Sequence, residues 1–129
     1  VIFVWGEPIA EPPRTVTPTV LSAPVVAQLR AADHIVTEVL AQHKLNRLLA
    51  QVPVVLFPVG FGQEGARSIG IRAFLTRDFM TGTPALPGSV ALPLEALAQI
   101  QARILAEVPG IARVALDISP KPPATTEWE

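Results

Sequence analysis

Chemistry in this chain could be carried by a small set of side chains, and most of them fail on spacing. His34 and His43 stand nine apart in one helical stretch, so they do not share a face as a metal-binding i, i+4 pair would. Partly exposed helix histidines are the better reading. Ser22, Ser68, Ser89 and Ser119 lack the Gly-x-Ser-x-Gly setting of a nucleophile elbow. The run Gly60-Phe61-Gly62-Gln63-Glu64-Gly65 has the glycines of a phosphate loop, but no Gly-Lys-Ser/Thr follows it, and a strand rather than a helix comes next. A hairpin turn is the better reading there. There is no cysteine, which removes disulfides, thiolate nucleophiles and cysteine metal sites together and fits a cytoplasmic protein. The C-terminal stretch Asp117-Ile118-Ser119-Pro120-Lys121-Pro122-Pro123-Ala124-Thr125-Thr126-Glu127-Trp128-Glu129 is different. Prolines hold it extended around a single lysine, and a Trp of the kind usually buried follows. Lys121 is then a presented cation, suited to a phosphate or a carboxylate. The alternative is that the tail only packs Trp128 on the core and leaves Lys121 solvated.

The elements that would position these residues follow from punctuation and periodicity. Val1 to Trp5 reads as a strand, and residues 8–21 as a Pro-rich extended loop. Ser22 as N-cap and Pro24 in the first turn open a helix that runs to about His43, with Val26, Leu29, Val36, Val39 and Leu40 as its apolar stripe. A short helical stretch is predicted around Leu45 to Ala50. Val52 to Val59 and Arg67 to Leu75 read as two strands of a hairpin, and Asp78 to Ser89 as a loop. Pro93 opens a second helix carrying Leu94, Leu97, Ile100, Ile104, Leu105 and Val108 on one face, and Pro109-Gly110 stops it. Ile111 to Ile118 is a further strand, and the tail could add a short edge strand. The order after the loop is α-β-β-α-β-β, which predicts a single two-layer α+β domain over residues 1–129, with two helices on one face of a mostly antiparallel sheet. Apolar residues on both faces of the strands predict a homodimer that covers the second face.

Composition narrows the function classes. Half of the 129 residues are apolar, yet the longest apolar run, Val52 to Val59, is broken by Pro53 and Pro58 and falls well short of the ~20 residues of a membrane helix. Net charge is −1 with Lys and Arg scattered, which is not the footprint of a nucleic-acid binder. No basic n-region or small-residue cleavage site of a signal peptide follows Val1.

The ending Asp-Ile-Ser-x-Lys-Pro-Pro-Ala-Thr-x-Glu-Trp-Glu is similar to that of the glutamine-hydrolysing GMP synthases. The resemblance runs back through Arg113-Val114, Glu107-Val108 and Arg103-Ile104. It continues through Thr76-x-Asp78-x-Met80-Thr81, Arg72-Ala73, Phe57-Pro58-Val59 and Gln51, then Glu38, Ala32-Asp33-x-Ile35 and Gly6-Glu7. It implies the C-terminal dimerisation domain of that family, which supplies part of the pocket for xanthosine monophosphate (XMP). Carried over by position, Lys121 and Arg113 would lie near the nucleotide phosphate, Glu127 would hold the ribose, and Gln51 would make a polar contact. Those types suit the task, since Lys and Arg give charge-assisted bonds to phosphate and a carboxylate accepts from hydroxyls. No catalytic residue, metal ligand or cofactor is expected within these residues; ATP and Mg²⁺ would belong to a separate ATP-pyrophosphatase domain, itself a candidate partner. Three departures from the family pattern stand out: a segment shortened to Gly60 through Gly70, the Pro-rich insertion, and Phe3 in place of an arginine. They leave open a second reading, a free-standing, non-catalytic relative that binds nucleotides or proteins.

Overall fold

The computed structural model describes residues 2–5, 12–13, 15–76, 78, 80–125 and 128. Its elements are β1 (Ile2–Trp5), α1 (Ala23–Gln42), β2 (Val54–Phe57), β3 (Arg67–Ile71), β4 (Phe74–Leu75), β5 (Thr83–Pro84), α2 (Leu94–Glu107) and β6 (Ile111–Asp117). The main sheet has the order β1-β6-β3-β2. β1 and β2 pair antiparallel with β6 and β3 respectively, and β3 runs parallel to β6. This is the expected small α+β domain, with its fourth strand supplied by β1. Where the tail could have added a strand, the described residues make only an isolated bridge between Lys121 and Gly82.

Strand alternation sorts the sheet into two unlike faces. Ile69, Ile71, Val114 and Leu116 share one face and form a single core with Ala32, Ile35, Val36, Val39 and Leu40 of α1 and Ala96, Leu97, Ile100 and Ile104 of α2. The helices are joined at their outer surface by Arg103, whose guanidinium lies 2.8 Å from Glu38 of α1 and 2.7 Å from Glu107 of its own helix. Such exposed pairs orient side chains more than they stabilise. The opposite face carries Ser68, Gly70, Ala115 and Asp117, small or polar and all buried. Val55 and Phe57 of β2 lie on the same face and are half-buried, so an apolar edge flanks a small and polar centre, and the Trp128 ring covers part of it.

Several local expectations change. Leu45 to Ala50 is one helical turn rather than a helix: Lys44, at a left-handed φ of 58°, separates it from α1, the N–H groups of Leu48 and Leu49 both donate to the Leu45 carbonyl, and the Ala50 N–H then leaves for the Phe74 carbonyl. Arg67 to Leu75 splits into β3 and β4 at Arg72-Ala73, where the Arg72 N–H turns to the Pro53 carbonyl. β5 lies inside the predicted loop. Leu94 and Leu105 are outside the core, 47% and 38% exposed.

The described part of the Pro-rich loop has no helix or strand, yet it is anchored. Thr17 N–H donates to the Pro58 carbonyl, and Arg67 donates to Thr19 Oγ1 at 2.8 Å and to the Pro18 carbonyl at 3.1 Å. The glycine run from Gly60 is a hairpin connection of two successive turns, with Gln63 N–H on the Gly60 carbonyl and Ala66 N–H on that of Gln63.

Candidate functional site

The C-terminal ends of β3 and β6 hold a buried polar node. Arg72, 1% exposed, places Nε 3.1 Å from Asp117 Oδ2. The same carboxylate accepts Trp128 Nε1 at 2.7 Å and the Ser119 N–H at 2.8 Å, and Arg72 Nη2 donates to the Ser119 carbonyl at 3.3 Å. The Phe74 ring caps the guanidinium 4.9 Å away. Burial works against charging Asp117, but the Ser119 and Trp128 bonds and the Arg72 charge outweigh it and hold its carboxyl below the usual range. The Trp128 ring lies over Gly70, where a Cβ would come within 2.6 Å of Cη2, and 5.4 Å from the Phe57 ring.

From this node the chain reaches Lys121 in four residues. Lys121 is fixed on both sides of its backbone: its N–H donates to the Gly82 carbonyl at 2.9 Å, and the Gly82 N–H donates to its carbonyl at 2.8 Å. A turn closed by Ala124 N–H on the Pro120 carbonyl wraps around it. Gly82 is required here, since a Cβ would lie 2.8 Å from the Phe74 ring. On the N-terminal side of Gly82, Asp78 organises the loop by accepting Met80 N–H, Thr81 N–H and Thr81 Oγ1. The Thr81 bonds, then that of Met80, hold the Asp78 carboxyl below its ordinary pKa, so the loop carries a fixed negative charge at neutral pH.

The predicted contacts separate into groups. Gln51 is exposed and pairs with Phe74, which donates its N–H to the Gln51 carbonyl at 2.9 Å. Phe74 pairs in turn with Pro84, and β5 follows Gly82, so backbone pairing links Gln51 and Lys121 at one end of the sheet. Arg113 is not with them. It pairs with Ser68, four residues before Asp117, or roughly 13 Å back along the strand at about 3.3 Å per residue. Its guanidinium stacks 5.5 Å from the Phe61 ring. Glu127 lies outside the described residues. So does the side chain of Phe3, whose backbone pairs with Leu116. A cavity of about 520 Å³ opens between residues 12–13 and 15–18 on one side and the loop 60–65 on the other, at the far end of the sheet from Lys121.

Sequence reasoning missed the Arg72–Asp117 pair. The available signal was a single charge within each of two otherwise apolar four-residue runs, Ile71-Arg72-Ala73-Phe74 and Val114-Ala115-Leu116-Asp117. Buried charges of that kind occur paired. Elsewhere, His43 Nε2 lies 2.8 Å from Gln99 Oε1, a tie between α1 and α2. Among the described residues no three His, Asp or Glu gather as a metal cage, and no helix is long and apolar enough to cross a membrane.

Fold and site together define a small α+β domain with a clipped lysine and a latched tail at one end of its sheet. Residues 37–128 match the GMP synthase C terminal domain family. The chain is 48% identical over 118 residues to a glutamine-hydrolyzing GMP synthase of Dictyostelium discoideum, covering 92% of this chain and 16% of that protein. It is 38% identical over 145 aligned positions to a probable GMP synthase of Caenorhabditis elegans, covering 100% of this chain and 19% of the relative. A GMP synthase of Alkalilimnicola ehrlichii is 44% identical over 107 residues, 78% of this chain and 19% of its own length. The chain belongs to the GMP synthase C-terminal domain family, and it spans less than a fifth of the length of these relatives.

Proposed function

We propose that this domain homodimerises and supplies part of the XMP pocket of a GMP synthase, in purine nucleotide biosynthesis. Lys121 holds the phosphate, Gln51 makes a polar contact at the same end of the sheet, and Glu127 accepts from the ribose. Arg113, set back along β6, adds positive charge more than direct contact. The supporting observation is the double backbone clip between Lys121 and Gly82. A lysine fixed in this way gives up only side-chain freedom on meeting an anion, which lowers the ordering cost that usually erodes a charge-assisted bond.

Calorimetric titration with XMP tests the pocket. Each charge-assisted contact is worth about 1.5–3 kcal/mol gross, and immobilising the ligand cancels much of it, so a roughly millimolar Kd is expected. Lys121→Ala should weaken binding by about tenfold or more, Arg113→Ala by less, and added salt should weaken it further. Inosine monophosphate should bind comparably and xanthosine should not. Binding of xanthosine as tight as that of XMP would remove the phosphate role.

The dimer draws on large apolar side chains left in solvent along the segment that leads into α2, Leu86 at 55%, Val90 at 85% and Leu94 at 47% exposed. Sedimentation equilibrium at micromolar concentration should give twice the 13.7 kDa chain mass. A single 13.7 kDa species there would rule the dimer out.

A further inference from the structure

The tail that carries Lys121 is not held extended by its prolines, since it turns over residues 120–124, and its course is set from the sheet. Asp117 Oδ2 lies 3.1 Å from Arg72 Nε, just past the end of β3, as an ion pair, and it accepts the Nε1–H of Trp128, at the far end of the tail, at 2.7 Å. Its other oxygen fixes Ser119, two residues before Lys121, through the backbone N–H. The Trp128 ring then rests where Gly70 leaves room, so the tail closes back on the sheet it left. One carboxylate thereby sets both the direction in which the chain leaves β6 at Ser119 and the place at which Trp128 is held. No atom of this node has been placed on the nucleotide.

We propose that Arg72, Asp117 and Trp128 are positioning residues for the nucleotide contacts of the tail: they act through Lys121 by latching the tail to the second face of the sheet at Gly70. This rests on the reading of Lys121 as a phosphate contact, and it adds a requirement that reading does not contain. A tail released at Trp128 keeps every predicted contact residue and loses their common placement.

Two substitutions act on the latch from opposite sides. Trp128→Phe keeps an aromatic ring on Phe57 and removes the Nε1–H donor. Gly70→Ala puts a Cβ within 2.6 Å of Trp128 Cη2 and 2.9 Å of Cζ2, so the ring must move while Lys121 is untouched. XMP affinity is measured by titration at a temperature where each variant is fully folded, and the thermal midpoint is recorded separately. Each variant should weaken XMP binding about fivefold or more and shift the amide resonances of Lys121 and Gly82 before ligand is added. The double variant should bind no worse than Trp128→Phe alone, because a phenylalanine lacks the indole Cη2 and Cζ2 that lie nearest the new Cβ, and its remaining neighbour, Val55 Cγ2 at 3.0 Å, belongs to β2 and not to the tail. That non-additivity identifies a positional effect. A lowered midpoint with unchanged XMP affinity would make Trp128 a structural strap only and overturn the proposal, while leaving the Lys121 reading intact. If the unaltered chain fails to bind XMP at several millimolar, the pocket reading falls, and this proposal falls with it.

Discussion

Asp117→Ala is expected to destabilise the domain by about 3–5 kcal/mol, because it leaves the Arg72 guanidinium buried without its carboxylate. The same change strands Trp128 Nε1 and the Ser119 N–H, both of which bond that carboxylate. Urea unfolding reads the loss directly, and a fall of at least roughly 10 °C in Tm should accompany it. Asp33→Ala, on the exposed face of α1, is the control and should stay within about 0.5 kcal/mol. Replacing both partners by apolar residues, Arg72→Met with Asp117→Leu, should cost less than Asp117→Ala alone, since no charge is then left uncompensated. An Asp117→Ala loss no larger than that of Asp33→Ala would mean that the pair is solvated. Acid should act in the same direction. The native pKa of Asp117 lies below its ordinary value of 3.8, so the stability it contributes is fully present above about pH 4 and is lost as the pH falls through the lowered native pKa.

No GMP is expected from this 129-residue chain supplied with XMP, ATP and either glutamine or ammonia. Glutamine hydrolysis of the kind the resemblance implies needs a thiol nucleophile, and the sequence holds no cysteine. Activating XMP needs a loop that cradles the ATP phosphates, and no Ser-Gly-Gly-x-Asp-Ser run occurs. The glycine run of residues 60–65 does not replace it, being a hairpin turn with Gly62 and Gly65 at positive φ and β3 following it. The expected loss is complete rather than partial, and a chromatographic assay sensitive to one turnover per chain suffices. GMP above the protein-free background would mean that a catalytic group has been overlooked.

Most of the architecture was legible because punctuation and periodicity agree. Ser22 with Pro24 set the start of α1, and Pro93 with Pro109-Gly110 bounded α2, each within a residue or two of the observed ends. Strand partners are another matter. The parallel pairing of β3 with β6 joins segments some forty residues apart, and neither alternation pattern encodes the partner. β5 stayed hidden because two residues directly after a glycine, one of them Pro84, look like a loop. Lys121 could be recognised as a presented cation from its prolines, but its partner Gly82 could not, because that clip is made by backbone atoms. Arg72 and Asp117 each look like ordinary polar ends of a strand until the sheet brings them together.

The most direct measurement is a chemical-shift titration of the uniformly labelled chain with XMP. The amides of Gln51, Gly82, Lys121 and Ala124 should move together, with one common midpoint in the millimolar range. Those of Gly62 and Gly65, at the far end of the sheet, should stay where they are. If the Lys121 block is unmoved at several millimolar XMP, or if only the 60–65 loop responds, the nucleotide site does not lie at the latched tail.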